Sequence, residues 1–478
     1  MYIELQLSSR KTLEKLNLLT AEFSFISAQL TSLSMDFILH NLPFYSHVRQ
    51  TRPLEPLSFG NQVDLIKLVD RYSPEFSAGS LSLFHGLYFN GHLQTVAAAL
   101  KTFQDVDHVY YKRMVLNLGD GGEATADFRV EPWNLDAESE KTQQYVPPNQ
   151  TRKLQPRYKF FTPTELENLP SQDSKPMLIV LHGLTGGSHE AYVRSLVNKM
   201  TSKFQFEACV LNSRGCSESC ITTPQLYNGV WTDDIRHFVK KLRSLFPQRK
   251  FYLVGFSLGA SIATNYLGQE GGKSDIECAA ILANPWDLCN ASYYMNRSFI
   301  GRYLYGGHFA QSLVKMLTDN LDILKKDPYM AKLYAEKLDS VKSVEEFDNW
   351  FTSRMFGFNG SYEYYRYGTS SNRIPSIRTP MLAISASDDP IVGQESLPYR
   401  EIEGNPYTLL VESSKGGHVA WFDANGERWY EDPLCRFFSA FHTEISAKGL
   451  KPDLDSVTLP HKNKFVGDRL VDATVRNY

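Results

Sequence analysis

The sequence predicts an α/β protein with a mostly parallel central sheet flanked by helices and a helical insertion interrupting it. Two observations carry the expectation. From about residue 157 to 443, short β-rich apolar runs alternate with amphipathic helical patterns, the rhythm that builds a parallel sheet covered on both faces. That rhythm stops once, over 287–378, where helical sequence rich in Tyr and Phe stands between two strand patterns. With 478 residues, 42% hydrophobic and 22% charged, the chain has the composition of a globular protein with a substantial core.

In chain order, residues 1–106 are expected to form an N-terminal helical extension. Within it Phe23, Ile26, Leu30, Leu33 and Phe37 recur at helical spacing. Glu22, Gln29 and Asp36 make this stretch too polar for a span, which needs about 20 mostly apolar residues. It fits a helix packed on its own domain or, alternatively, a peripheral contact with a membrane or lipid droplet. No basic segment leads into an apolar run, so an intracellular, cytoplasmic location is expected, with the Asn-x-Ser/Thr sequons chance matches.

The first part of the core is placed at 107–286. His108–Leu118 and Ala124–Val130 read as antiparallel strands joined by the turn Gly119-Asp120-Gly121-Gly122, followed by a polar loop from Glu138 to Arg157. Further strands are expected at Met177–Leu181, Ala208–Asn212, Phe251–Phe256 and Ala279–Ala283. A helix starts near Thr232: Asp233 and Asp234 suit its positive end, and Ile235, Phe238, Val239, Leu242 and Phe246 form its buried stripe. The lid-like helical insertion takes 287–378. The second part of the core, 379–447, contributes strands Met381–Ser385 and Thr408–Val411, and 448–478 is a polar tail.

A net charge of -3 gives no basic face for nucleic acid. Six cysteines, at 209, 216, 220, 278, 289 and 435, are too sparse for a disulfide scaffold and lack zinc spacing, so they read as reduced thiols. The phosphate-binding, dinucleotide and zinc-protease motifs are absent, and neither a metal nor a nucleotide cofactor is implied. A small-molecule substrate is the expected partner.

The chemistry concentrates in Gly255-Phe256-Ser257-Leu258-Gly259, directly after a strand and opening a helical pattern. A strand turning sharply into a helix needs residues without bulk beside the nucleophile, and that turn leaves the Ser257 hydroxyl at the sheet's carboxyl edge. Serine needs a base to take its proton and a third group to orient that base. Both follow downstream: Asp388 and Asp389 come after one strand, and His418 lies in Ser414-Lys415-Gly416-Gly417-His418 after the next. The order Ser, Asp, His is that of the α/β-hydrolase arrangement, with either aspartate able to serve from this position. The Gly-rich stretch Leu181-His182-Gly183-Leu184-Thr185-Gly186-Gly187 suits an oxyanion hole, with the amides of Leu184 and Leu258 as donors and Thr185 as the alternative to Leu184. Asp423, separated from His418 by the four residues Val419–Phe422, completes an H-x4-D spacing and reads as a local structural carboxylate.

The chain resembles the fungal branch of α/β-hydrolases that includes medium-chain fatty acid ethanol acyltransferases/esterases and related monoacylglycerol lipases. The likeness rests on Phe89–Thr95, Leu118–Gly122, His182–Gly187, Asn212–Cys216, the Ser257 elbow, Asn284–Leu288, Asp388-Asp389-Pro390 and Gly416–His418. It implies Ser257, Asp389 and His418 as a triad. It also implies an acyl-serine formed from an acyl ester, acyl-CoA or acylglycerol and passed to a short alcohol such as ethanol or to water. Tyr293, Tyr294, Phe299, Phe309, Phe351, Phe356 and Phe358 of the insertion either wall an acyl slot or pack a core. The competing reading from another class is a catalytically silent lipid-binding scaffold.

Overall fold

The computed structural model describes residues 44–60, 63–101, 103, 105–134 and 145–453. The expected helix at Phe23–Leu42 and the tail beyond 453 lie outside the described residues. Eleven strands form one sheet: β1 (Tyr45–Thr51), β2 (Leu81–Leu83), β3 (Tyr110–Asn117), β4 (Glu123–Val130), β5 (Tyr158–Phe160), β6 (Met177–Leu181), β7 (Glu207–Asn212), β8 (Phe251–Phe256), β9 (Ile276–Leu282), β10 (Met381–Ala386) and β11 (Thr408–Ser413). They lie in the order β2-β1-β11-β10-β9-β8-β6-β7-β4-β3-β5.

The central strands β7, β6, β8, β9, β10 and β11 pair in parallel. β3 and β4 pair antiparallel, as their turn residues require, and β4 adds the hairpin antiparallel to β7. Strict alternation explains how a uniformly apolar strand such as β6 serves both faces. Met177, Ile179 and Leu181 enter one core with the helices Asp233–Leu245 and Leu258–Glu270. Leu178 and Val180 enter the other core, beneath the helices Ala191–Lys203 and Glu431–Phe441. In the helix Asp233–Leu245, Ile235, Phe238, Val239 and Leu242 are buried, as their spacing predicts.

The expectation of a helical extension before residue 107 is corrected for its described part. β1 pairs antiparallel with β11, from Val48 opposite Ser413 to Thr51 opposite Leu410, and carries β2 on its other side. The sequence signal is weak because β1, Tyr-Ser-His-Val-Arg-Gln-Thr, lies near the sheet's margin with few apolar residues. The helices Leu65–Tyr72 and Gly91–Leu100 belong to this same segment.

Between β9 and β10 the chain folds as helices, among them Leu288–Arg297, Gly307–Asp319, Pro328–Lys337 and Ser361–Gly368, with wider π turns at Gly301–Gly306 and Asp348–Thr352. All six cysteines are free thiols. Among the described residues no helix is long and apolar enough to cross a membrane.

Candidate active site

The carboxyl ends of the parallel strands bring the sequence-predicted residues to one edge of the sheet, the edge where loops of open α/β sheets meet ligands. Ser257 follows β8 directly and holds φ 50, ψ -119, a strained conformation for a residue with a side chain. Its neighbours explain why both flanking positions are glycine. A Cβ on Gly255 would stand 2.6 Å from the Gly259 carbonyl oxygen, and one on Gly259 would stand 2.5 Å from that of Leu181. The helix crosses too close to β6 for any bulk there.

His418 Nε2 lies 2.8 Å from Ser257 Oγ, and its Nδ1 lies 2.8 Å from Asp389 Oδ2. Both His418 and Asp389 are buried. A neutral imidazole donating from Nδ1 to the carboxylate keeps Nε2 free to accept the serine proton. Asp389 is itself held, because its Oδ1 accepts from the amides of Ile391 (2.8 Å) and Val392 (3.0 Å).

The neighbouring aspartate is engaged elsewhere. Asp388 Oδ1 accepts from the Gly417 amide at 2.9 Å, and its buried Oδ2 has no partner among the described residues. Burial pushes its pKa up to about 6, opposed in part by the Gly417 hydrogen bond. Of the two aspartates it is therefore Asp389 that faces the imidazole. Asp423 Oδ1 accepts from the Asn425 and Glu427 amides and caps a local turn.

The loop after β6 brings Leu184 beside the elbow, and both Leu184 and Leu258 line the same cavity as Ser257 and His418. Neither amide makes a hydrogen bond among the described residues; that of Leu258 belongs to the first turn of its helix, which has no internal acceptor. The Thr185 amide instead donates to Tyr227 Oη at 2.7 Å, so it is already occupied. The loop is anchored from below by His182, whose Nδ1 bonds the Gly183 carbonyl at 2.7 Å and whose Nε2 accepts from the Ser213 amide at 3.0 Å. Burial lowers the His182 pKa to about 4, which keeps the ring neutral as these two bonds need. Gly183 N–H donates to Tyr192 Oη at 2.9 Å.

Sequence reasoning assigned no task to the segment Phe89–Thr95, and the structure gives it several. Asn90 caps the helix Gly91–Leu100 by accepting from the Leu93 amide. Thr95 Oγ1 accepts from the His418 amide at 2.9 Å and donates to the Gly91 carbonyl at 2.7 Å. Gln94, fully buried, bonds the Phe422 amide and carbonyl. Gly417, at φ +61, is the contact point: a Cβ there would meet the Gly91 carbonyl oxygen at 2.5 Å. The available signal was only for the start of the helix, where Asn90 stands at the capping position.

The site opens into a cleft with a mostly apolar wall, whose empty space is about 960 Å³ when the open solvent at its mouth is counted. Of the insertion's aromatics, Phe309, Phe351 and Phe356 line it. Phe358 packs against Tyr364 and Tyr367. Tyr293 and Phe299 are 60% and 78% exposed, so neither walls the cavity nor fills a core. Tyr294 lies under the Arg297 guanidinium at 3.7 Å from ring centroid to Cζ.

Chemically, this arrangement can draw a proton from Ser257, hold the imidazolium that results, and offer two free amides to a developing oxyanion. Residues 176–424 match the family model described as the alpha/beta hydrolase fold. A monoacylglycerol lipase of Saccharomyces cerevisiae is 46% identical over 435 residues, covering 88% of this chain and 96% of that protein. A medium-chain fatty acid ethyl ester synthase/esterase 2 of the same yeast is 35% identical over 408 residues, covering 80% and 90%. The embryogenesis-associated protein EMB8 of Picea glauca is 29% identical over 377 residues, covering 78% and 75%. On the family match, the two yeast relatives and the parallel sheet that carries Ser257 at its carboxyl edge, the chain belongs to the α/β-hydrolase fold family, as a serine hydrolase.

Proposed function

We propose that this protein is a carboxylic ester hydrolase that cleaves monoacylglycerols through an acyl-Ser257 intermediate. The observation that carries ester cleavage is the Ser257–His418–Asp389 chain of 2.8 Å contacts at an apolar cavity. The choice of acylglycerol is supported by the higher likeness to the yeast monoacylglycerol lipase.

In this reading, Ser257 Oγ attacks the ester carbonyl carbon while His418 Nε2 takes its proton. The tetrahedral oxyanion accepts from the Leu184 and Leu258 amides, each donor contributing on the order of 3 kcal/mol to the transition state. Collapse breaks the bond to the alcohol oxygen, which leaves with the proton from His418. Water then adds to the acyl-serine, His418 takes its proton, and the fatty acid departs as Ser257 regains its hydrogen. Asp389 keeps the imidazole oriented and balances its charge throughout.

A second reading, transfer of a medium-chain acyl group to ethanol, follows the same first half and is supported by the 35% identical ester synthase/esterase. The partition depends on whether an alcohol or water reaches the acyl-enzyme. Product analysis separates them: monooctanoylglycerol is incubated in buffered ethanol with the protein and with Ser257→Ala. Octanoate as the main product, absent with the variant, supports the hydrolase. Ethyl octanoate as the main product replaces it with the acyltransferase, and unchanged turnover by Ser257→Ala rejects both.

A further inference from the structure

Three consecutive amides of the loop after β6 differ in how they are used. The Gly183 amide donates to Tyr192 Oη at 2.9 Å and the Thr185 amide to Tyr227 Oη at 2.7 Å, whereas the Leu184 amide between them makes no hydrogen bond among the described residues. The Leu184 peptide is nonetheless oriented. Its carbonyl end, the Gly183 oxygen, accepts from His182 Nδ1 at 2.7 Å and from the Gly186 amide at 3.2 Å. Across a trans peptide the N–H lies antiparallel to the C=O, so the Leu184 N–H is turned away from the buried His182 ring. The loop passes directly beside the nucleophile, since a Cβ on Gly183 would stand 3.4 Å from Ser257 Cβ.

The two tyrosines are themselves fixed, each by a different part of the fold. Tyr192 lies in the first turn of the helix Ala191–Lys203 and packs its ring on Phe256, the residue before Ser257, with centroids 4.8 Å apart. One side chain thus spans the elbow and the loop. Tyr227 lies on the connection from β7 to the helix Asp233–Leu245. Beside it the Leu226 amide donates to Met355 Sδ at 3.1 Å and the Gly229 amide to Tyr364 Oη at 2.9 Å, both acceptors belonging to the insertion. Thr185 holds φ 55, an unfavourable conformation for a β-branched residue that its bond to Tyr227 helps to keep. Phenylalanine at either tyrosine position preserves the ring and removes the acceptor, which leaves a loop amide unpaired. The loop relieves that amide by turning, and the Leu184 peptide turns with it.

We propose that Tyr192 and Tyr227 are positioning residues: their hydroxyls tie the amides on either side of Leu184 and so keep the Leu184 N–H, alone of the three, aligned and free for the oxyanion. This rests on the ester-hydrolase reading above, with the Leu184 amide as an oxyanion donor, and deepens it.

The test measures kcat, KM and inhibition by octyl trifluoromethyl ketone in the unmodified protein, Tyr192→Phe, Tyr227→Phe and Ser257→Ala. Ser257 Oγ adds to the ketone's carbonyl carbon, His418 takes the serine proton, and the former carbonyl oxygen becomes an oxyanion in the same hole. In each phenylalanine variant kcat is expected to fall about ten- to a hundredfold with KM changed less than about threefold, because a loosened donor acts on the transition state and not on the ground state. The inhibition constant of the ketone is expected to rise by a similar factor, and the loss to be equal for monooctanoylglycerol and ethyl octanoate, whose reacting carbonyls are alike. A merely structural defect removes active molecules, which lowers the rate and leaves the ketone's affinity. Unchanged kcat, a lower kcat with unchanged ketone affinity, or a loss carried by KM or by one ester overturns the proposal while leaving the hydrolase intact. Should either variant fail to fold, amide hydrogen exchange in the unmodified protein decides. The Leu184 amide is expected to become slow only when the ketone binds, with those of Gly183 and Thr185 slow before and after, and any other pattern overturns the proposal. Ester turnover retained by Ser257→Ala overturns the underlying reading instead.

Discussion

At the scale of single residues, the two adjacent aspartates separate a role in the proton relay from a role in the loop. Asp389 faces His418 Nδ1, whereas Asp388 binds the Gly417 amide. Ester hydrolysis should fall roughly 10⁴-fold in Asp389→Asn, because the amide favours the wrong imidazole tautomer. Steady-state kinetics on folded protein checks this, and a loss under tenfold contradicts it. Asp388 instead contributes to pH-dependent stability. Its folded pKa of about 6 stands above the ordinary aspartate value of 3.8, so the folded state binds the extra proton between those values. Its contribution is present below about pH 4 and lost as pH rises through about 6. Asp388→Asn keeps an acceptor for Gly417 and should therefore stabilise the protein on the order of 2–3 kcal/mol at pH 7, with the gain vanishing near pH 4. Urea unfolding at both pH values measures it; an equal gain at both contradicts the assignment.

At the scale of elements, the helix Gly91–Leu100 supports the histidine loop through Thr95. Thr95→Val keeps the shape and leaves the buried His418 amide unpaired, at about 1–3 kcal/mol. kcat should drop about tenfold, and Thr95→Ser should restore it; a valine variant with full kcat would remove the helix from the account. This support was not legible in the sequence, because hydrogen bonding between residues 95 and 418 leaves no local periodicity. The elbow was legible for the opposite reason. Its steric demand is local, and glycines at 255 and 259 record it directly. The strands Met177–Leu181 and Phe251–Phe256 were readable to the residue, since a buried parallel strand bounded by turns is a continuous apolar run. β1 was not, because its marginal position asks little hydrophobicity of it.

At the scale of the whole molecule, the sheet's outer hairpin is tied to the site by buried charge. Arg113 on β3 binds Asp127 on β4 through Nε (2.6 Å) and Nη2 (2.8 Å), with both side chains fully buried. The Asp127 carboxylate also accepts from Ser188, just beyond the Gly183–Gly187 loop, and from Asn212 at the end of β7. Removing one partner strands the other, so Arg113→Met should destabilise by about 3–5 kcal/mol in equilibrium unfolding. A cost below about 1 kcal/mol would mean the pair is not buried as described. The sequence indicated the sheet and the insertion but not this network, whose bonded pairs are 14 to 85 residues apart.

Whether one serine carries the chemistry is tested most directly by active-site labelling. The protein is treated with a fluorophosphonate, digested and mapped by mass spectrometry while monoacylglycerol hydrolysis is followed. One label per chain on Ser257, with activity lost in proportion and no label on Ser257→Ala, is the expected result. Label on another residue with proportional loss of activity, or full activity in a protein labelled at Ser257, would contradict it.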